Sequence, residues 1–164
     1  MRKRFVFVIA GAVSLWGESP ARASDDWMGG IEAGADYALR SKGAGYYGAF
    51  RLFYPVKPTL LVGGQVRAGI GQTGDLGAEF AARATPSRCA ASIAPYLGLG
   101  LGAYYLWVSN DVGLAARFGF VPNAELGLRV FVVDFTFRVD VPTFVVDPTL
   151  GYSPMFGFGS AYWF

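Results

Sequence analysis

Apolar residues recur at every second position along most of this chain, in segments of roughly ten residues that turn-forming residues separate. At residues 28–39, for example, Ile31 and Tyr37 share one parity, whereas Glu32 and Asp36 share the other. A period of two is the period of a β-strand, whose successive side chains point to opposite faces. The pattern predicts eight strands, at residues 28–39, 45–54, 59–71, 92–105, 112–120, 124–132, 135–144 and 157–164. The fold class is therefore all-β, and the polar stretch at 72–91 is expected to be the largest connection.

The charged residues of these segments all fall on the face opposite the apolar one. They are four acids and five arginines: Glu32, Asp36, Arg51, Arg67, Arg117, Glu125, Arg129, Arg138 and Asp140. Alternation alone fits either a soluble sheet with a charged surface or a membrane barrel with a charged lumen. The charged face also carries many glycines, which suit a narrow lumen, and the apolar face has aromatic residues near both strand ends. These features favour the membrane barrel.

Closure of the sheet is expected if the barrel is surrounded by lipid. Lipid offers no hydrogen-bonding partner to a strand edge, so the first and eighth strands are expected to pair. The predicted architecture is an eight-stranded antiparallel up-and-down transmembrane β-barrel. Because the interior of such a barrel is just wide enough for side chains, the nine charged residues are predicted to form an ion-pair network that plugs the lumen.

Residues 1–23 have the features of a secretory signal peptide. A basic stretch at 1–4 precedes twelve apolar residues at 5–16, and Ala21 and Ala23 form an A-x-A cleavage site. Twelve residues are too few to span a bilayer as a helix. Removal of this leader takes away four of the 14 basic and one of the 12 acidic residues, leaving a net charge of −1 on residues 24–164. The barrel domain therefore lacks the basic character expected of a nucleic-acid-binding protein.

The sequence ends in SAYWF, with aromatic residues alternating before the last position. This ending resembles the β-signal by which the outer-membrane assembly machinery recognises its clients, and the whole of residues 24–164 resembles the small eight-stranded barrels of the OmpA transmembrane domain and OmpX type. The resemblance implies that Phe158, Tyr162 and Phe164 act as an assembly signal. It also implies a monomer in the outer membrane of a Gram-negative-type bacterium, with outer-membrane lipid and the barrel-assembly machinery as partners.

Candidate chemistry is sparse. The chain has no histidine, which excludes a Ser/His site and a His-ligated metal within residues 1–164. The stretch GAGYYG at 43–48 matches a dinucleotide-binding pattern, but no helix follows it. Cys89 is the only thiol, so no intrachain disulfide is possible. The sequence predicts no catalytic residue, no cofactor and no metal.

The sequence therefore favours a non-enzymatic outer-membrane barrel with a structural or surface-interaction role and a plugged lumen. Two alternatives stay open at this level. One is a pore or transport barrel for small solutes, because the inward glycines leave some room. The other is a soluble, periplasmic, lipocalin-like binding barrel, because period-two alternation is compatible with it.

Overall fold

The computed structural model describes residues 27–39, 42–86, 92–110, 113–144 and 154–164, and almost all of them lie in antiparallel strands. The strands are β1 (Met28–Ala38), β2 (Gly43–Lys57), β3 (Leu60–Gly71), β4 (Thr73–Ala84), β5 (Ile93–Asn110), β6 (Gly113–Val130), β7 (Val133–Asp140), β8 (Thr143–Phe144) and β9 (Met155–Trp163). Within these ranges no helix is long and apolar enough to cross a membrane. The leader, with Ala21 and Ala23, and Cys89 lie outside the described residues.

The sheet closes into a barrel because every long strand has two neighbours. Pairing runs from β5 through β4, β3, β2, β1, β9 and β7 to β6, and β6 also pairs with β5. The short β8 lies along β6 just beyond the end of β7, so these two segments occupy one position in the barrel wall. The first and last strands pair from Gly30 opposite Trp163 to Ala38 opposite Met155. The predicted eight-stranded antiparallel barrel is confirmed.

The two ends of the barrel differ in what they carry. At one end, here called the terminal end, the chain enters at Met28 and leaves at Phe164, whose amide donates to the Gly29 carbonyl at 2.9 Å. The opposite end, here called the loop end, holds the β1–β2, β3–β4 and β5–β6 connections and the segment between β8 and β9. The β3–β4 hairpin there is tight, and Gly71 adopts the positive φ of 138° that such a turn requires of glycine.

Strand β4 is absent from the sequence prediction, which assigned its residues to a connection. Its inward side chains Asp75, Glu79 and Arg83 are buried, whereas Leu76 and Phe80 are exposed on the outside. Alanine fills the outward positions between and beyond them, at 78 and 82, so the apolar alternation is weak. The real connection is shorter and runs between β4 and β5 at the terminal end.

Strand β6 corrects the prediction in the opposite sense, because two expected strands and the turn VPN between them form one continuous strand. Pro122 lies opposite Leu101 of β5, and its carbonyl accepts a hydrogen bond from the Val141 amide at 2.9 Å. In an extended strand the N–H and C=O of one residue point to the same neighbour. The nitrogen of Pro122, which has no hydrogen to donate, is therefore directed toward the break between β7 and β8. The hydrogen-bond ladder is already interrupted there, so no bond is lost. One missed strand and one divided strand leave the predicted count unchanged.

The barrel is apolar outside and polar inside. Ile70, Phe158 and Phe164 are 72, 67 and 68% exposed, whereas Arg51 and Asp134 are fully buried. Among the described residues, buried apolar side chains form one cluster at each end of the lumen. The loop-end apolar cluster is Ala38, Tyr104, Leu106, Val121 and Met155. The terminal-end apolar cluster is Phe53, Leu61, Ala81 and Trp163, with Met28 packed against it.

Candidate functional site: the charged lumen

Between the two apolar clusters the lumen is filled by charged side chains. Eight of the nine residues that the sequence places there are buried inside the barrel: Glu32, Asp36, Arg51, Arg67, Glu125, Arg129, Arg138 and Asp140. Four further charged residues are buried with them: Asp75, Glu79, Arg83 and Asp134. Within the described strands the lumen therefore holds seven carboxylates and five guanidinium groups. A set of this density requires close pairing, since an unpaired buried charge is very costly.

Arg117 is the exception and does not join the lumenal set. Its side chain is exposed, and its Nη1 atom donates to the carbonyl of Ala116 at 2.9 Å. Arg117 precedes the first described pairing between β6 and β8, which begins at Gly119 opposite Phe144. It thus lies at the loop-end rim, where solvent reaches the side chain. The sequence parity was correct, but it carries no information on height along the barrel.

Three arginines and three carboxylates form what is here called the terminal-end cluster: Glu32, Arg51, Arg83, Glu125, Arg129 and Asp134. Arg51 pairs with Glu32 and lies 3.9 Å from Glu125, and its Nε donates to Gln65 at 2.8 Å. Arg83 pairs with Glu125 through two nitrogens. The formal charges of this cluster balance.

Asp134 completes the terminal-end cluster. It lies 3.4 Å from Arg83 and 2.8 Å from Arg129. The pairing with Arg129 occurs between directly opposed residues of β6 and β7, so it is fixed by the register of that hairpin. Arg83 reaches Asp134 from the other side of the lumen, from β4.

Aromatic rings surround the arginines of the terminal-end cluster. The Arg83 Cζ atom lies 4.4 Å from the ring centroid of Phe53 and 4.8 Å from that of Tyr96. Trp163 faces both Arg83, at 5.7 Å, and Arg129, at 5.1 Å. Such cation–π contacts contribute more when the charge is desolvated, as it is here. The rings thus pack against the guanidinium groups at this end of the lumen.

The remaining charged residues form what is here called the loop-end cluster: Asp36, Arg67, Asp75, Glu79, Arg138 and Asp140. Arg67 pairs with Asp36, lies 2.7 Å from Asp75 and lies 3.5 Å from Asp140. Arg138 contacts both Asp140 and Glu79 at 2.5 Å. Four carboxylates thus share two guanidinium groups.

Tyrosines and an amide complete the loop-end cluster. Glu79 accepts hydrogen bonds from the Tyr104 hydroxyl at 2.8 Å and from the Asn123 side-chain amide at 3.1 Å. Farther toward the terminal end, the hydroxyls of Tyr96 and Thr136 are 2.7 Å apart. These polar groups fill spaces between charged side chains and leave little room for water.

Two small pockets lie inside the barrel, one toward each end. A pocket at the terminal end has a volume of about 10 Å³ and is lined by Leu61, Arg83, Thr85, Ala94, Tyr96 and Arg129. A second pocket, at the loop end, has no room for a water molecule and is lined by Asp75, Tyr104, Leu106, Val121, Asp140 and Met155. One water needs roughly 10–15 Å³, so neither pocket admits a solute.

Sequence reasoning missed four lumenal residues, three of them for one reason and Asp134 for another. Asp75, Glu79 and Arg83 belong to the unrecognised β4, although they recur every fourth residue and so have the inward parity of a strand. Asp134 lies between the predicted strands 124–132 and 135–144, but in the structure it is the second residue of β7. The parity test that found the other charges would have found these three in β4 if the weak apolar face had been accepted.

The C-terminal strand presents the predicted assembly-signal residues on its outer face. Phe158, Tyr162 and Phe164 are all exposed, whereas Ala161 and Trp163 between them are buried in the lumen. Phe158 packs against Phe137 of β7, with ring centroids 5.8 Å apart. Within the described residues, no three acidic or cysteine side chains are placed so that they could hold a metal ion.

Comparison with known proteins agrees with this architecture. Neither a protein-family model nor a curated protein sequence matches the chain. Among solved structures, the N-terminal β-barrel domain of Pseudomonas aeruginosa OprF superposes with a TM-score of 0.57 at 14% sequence identity, over 84% of this chain and 97% of that domain. Neisserial surface protein A (NspA) gives the same TM-score and identity over 86% of this chain and 98% of its own.

This chain has the fold of the small outer-membrane β-barrels. Barrels of that fold carry an apolar outer band around a polar interior, and this barrel likewise has exposed apolar and buried charged side chains. At 14% identity the similarity extends to the fold and not to particular side chains.

Proposed function

We propose that this protein is a non-enzymatic outer-membrane β-barrel with a structural or surface-interaction role and a lumen closed by ion pairs. The observation that carries the proposal is the inverted distribution of polarity. Large apolar side chains such as Leu99 and Phe80 are more than half exposed, whereas twelve charged side chains are buried among the described residues. In water, the exposed apolar outer face would be unfavourable, and so would the buried charges inside. In lipid, the apolar outer face contacts acyl chains and carries no such penalty.

The height of the apolar belt supports the same proposal. On β2, Tyr46 lies toward the loop end and Tyr54 toward the terminal end. Eight residues of strand span roughly 26 Å, and a tilt of about 40° reduces this to roughly 20 Å along the barrel axis. Apolar bands of outer-membrane barrels are about 25 Å tall. Tyr105 lies directly opposite Phe118 in the β5–β6 register, so both of these aromatic residues lie toward the loop end of the belt.

The soluble lipocalin-like alternative is disfavoured by the interior. A soluble binding barrel encloses its ligand in a cavity lined by apolar residues. Here the interior holds Arg51, Arg67 and Arg138, all nearly inaccessible, and the measured pockets have no space for a ligand. The apolar surface lies on the outside, where a soluble barrel would be exposed to aggregation.

The pore alternative is disfavoured because the terminal-end cluster and the loop-end cluster of charged residues fill the lumen, and an apolar cluster lies beyond each of them. The terminal end is sealed by Phe53 and Trp163 around Arg83, and the loop end by Leu106 and Met155 over the loop-end cluster. We expect the purified protein in planar bilayers to show no stable conductance. A steady open channel from the wild-type protein would support transport instead.

The proposal includes export through a cleaved leader ending at Ala23 and assembly that depends on Phe158, Tyr162 and Phe164. Their support is the sequence pattern together with the exposed position of the three aromatic residues on the last strand. Outer-membrane lipid and the barrel-assembly machinery are the partners that this pathway requires.

Cell fractionation tests the proposal. The full chain, expressed with its leader in a Gram-negative host, should sediment with the outer membrane, resist extraction at alkaline pH, and migrate faster on SDS gels before boiling than after. N-terminal sequencing of that species should begin at residue 24. Recovery as a soluble periplasmic protein with the same mobility before and after boiling would support the lipocalin-like alternative.

A further inference from the structure

The loop-end cluster has more negative than positive charge, unlike the terminal-end cluster. Its four carboxylates contact two guanidinium groups, whereas the terminal-end cluster has three of each. The four carboxylate residues are Asp36, Asp75, Glu79 and Asp140, and each is at most 8% exposed. If all four were ionised, two negative charges would be buried without a counter-charge, which is strongly unfavourable.

Two of these carboxylates converge on a single nitrogen. Asp36 Oδ2 and Asp75 Oδ2 both contact Arg67 Nη2, so the two groups are close neighbours. Like charges held this close do not both ionise readily. Their second oxygens, Asp36 Oδ1 and Asp75 Oδ1, are buried without a hydrogen-bond partner.

A nearby neutral side chain also lacks a donor. Asn123 is 94% buried and is directed into the cluster, because its Nδ2 donates to Glu79 Oε2 at 3.1 Å. Its Oδ1 has no hydrogen-bond partner. Asn123 lies opposite Asp140 in the β6–β7 register. A buried acceptor without a donor can be satisfied when a neighbouring carboxyl group carries a proton and becomes a donor.

A metal ion is the other means of compensating buried carboxylates. The described residues form no group of acids with metal-binding geometry, and Arg67 already occupies the point where Asp36 and Asp75 converge. A proton needs no coordination shell and fits between two carboxylates. The packed lumen therefore favours a proton over a metal ion.

We propose that the loop-end cluster is a proton-binding site, in which Asp36 and Asp75 hold one proton between them at neutral pH. The proton joins the two carboxylates around Arg67, and its loss at alkaline pH loosens the loop end of the lumen. The inference rests on the proposed function, because it requires the closed, dry lumen of a membrane barrel.

Titratable or charged side chains face this site from six strands of the barrel. They are Asp36 from β1, Tyr47 from β2, Arg67 from β3, Asp75 and Glu79 from β4, Tyr104 from β5, and Arg138 and Asp140 from β7. Strand β6 contributes the uncharged Asn123, and the described part of β9 has no charged side chain. Asp36 and Asp75 are chosen because both depend on a guanidinium group that they share with each other and with Asp140.

The test is the pH dependence of unfolding for the whole barrel folded in detergent or lipid. A folded state that binds one proton more than the unfolded state loses stability as the pH rises. We expect the unfolding equilibrium constant of the wild type to increase about tenfold per pH unit at its steepest, from about pH 5, just above the ordinary carboxyl pKa, up to the pH at which the folded site releases its proton. Stability that is constant or increases over this range would overturn the proposal.

Matched amide variants locate the effect. Asp75→Asn and Asp36→Asn should each remove the pH dependence and be more stable than the wild type at about pH 9, because the carboxylate that would ionise there is absent and one fewer negative charge is buried. Glu125→Gln in the balanced terminal-end cluster should lower stability at every pH and keep the wild-type slope. Asn variants that keep the full slope, or a slope that depends on added calcium, sodium or chelator in place of pH, would contradict proton binding.

Direct proton uptake provides a second measurement that needs no variant. Refolding of the wild-type chain from urea in weakly buffered solution at neutral pH should take up about one proton per folded barrel, read with a pH indicator. The heat-modifiable gel band reports folding in the same sample. A folded barrel without uptake would overturn this inference and leave the proposed function intact, whereas failure to form the heat-modifiable barrel would overturn both.

Discussion

The ring of Tyr47 lies beneath the guanidinium group of Arg67, with 3.9 Å between the Arg67 Cζ atom and the ring centroid. The hydroxyl of the same tyrosine donates to Glu32 at 2.9 Å. Arg67 belongs to the loop-end cluster and Glu32 to the terminal-end cluster, so one side chain connects the two. The lumen is thus one continuous polar network, and a change at Tyr47 acts on both of its halves.

Removal of the Tyr47 hydroxyl should destabilise the barrel while leaving the ring in place. Tyr47→Phe loses a buried hydrogen bond to a carboxylate, with an expected cost of about 1.5–3 kcal/mol. Tyr105→Phe is the matched control, because Tyr105 is half exposed on the outer face and should change stability by less than about 0.5 kcal/mol. Urea unfolding in lipid measures both. Equal effects would contradict the lumenal role of Tyr47.

Loss of one acid from the balanced cluster should be severe. Glu125 is 3% exposed and contacts both Arg83 and Arg51, so Glu125→Ala leaves buried positive charge uncompensated. The expected cost is about 3–5 kcal/mol. The same unfolding assay applies, with Leu126→Ala on the adjacent outward position as the control. A loss no larger than that of the control would show that water enters this part of the lumen.

A charge on the outer face should cost more near the middle of the belt than near its rim. Leu99 is 64% exposed and lies far from both ends of β5, whereas Leu128 lies close to the terminal end of β6. Leu99→Arg should cost about 2–4 kcal/mol, and Leu128→Arg about 0–1 kcal/mol, in bilayers. Refolding stability in lipid vesicles tests this depth dependence. Equal costs would argue against a membrane around the barrel.

Two glycines on β1 and β2 should respond in opposite ways to alanine. A Cβ atom at Gly34 would meet the backbone oxygen of Phe158 and the ring of Tyr47, so Gly34→Ala should destabilise the barrel by about 1–3 kcal/mol. At Gly48, on the outer face, the nearest atom to a Cβ would be the backbone oxygen of Glu32, at 3.8 Å. Gly48→Ala should be neutral or stabilise by up to about 1 kcal/mol. Thermal unfolding in detergent compares the pair.

The last residue should matter for assembly more than an equally exposed aromatic residue elsewhere. Phe164 and Phe131 are both 68% exposed near the terminal end, and Phe131 has a φ of 57°, which asparagine tolerates. Phe164→Asn should leave the mature chain in the periplasm, whereas Phe131→Asn should reach the outer membrane. Quantitative fractionation measures the difference. Outer-membrane levels of Phe164→Asn equal to wild type would refute the assembly signal.

Parity along each strand was sufficient to predict which way most charged side chains point. Glu32 and Asp36 differ by an even number of positions, as do Glu125 and Arg129. A strand places such residues on one face, whichever strands pair with it. At Arg117 parity gave the correct face, but the side chain lies at the rim, and parity carries no information on the distance from the rim. The rule failed for β4 because Ala78 and Ala82 are too small to mark an outward face.

Strand continuity through Pro122 required the tertiary structure. Proline in a stretch flanked by valine and asparagine is typical of a turn, and nothing within β6 contradicts that interpretation. The break between β7 and β8 that faces Pro122 belongs to a strand that comes later in the chain. Local sequence cannot report that a distant neighbour is interrupted at the same height.

The sequence by itself predicted the architecture, because a period of two with the charged residues on one face and inward glycines favours a closed antiparallel barrel. Only the tertiary structure decided which charges meet. Arg83 reaches Glu125 across 42 positions of sequence, and Arg138 reaches Glu79 across 59. Partners so distant are brought together by strand register and barrel closure, which depend on hydrogen bonds along every hairpin at once. The division into a balanced and an acidic cluster follows from that register, because the total charge of the lumen is set by composition but its distribution is set by height.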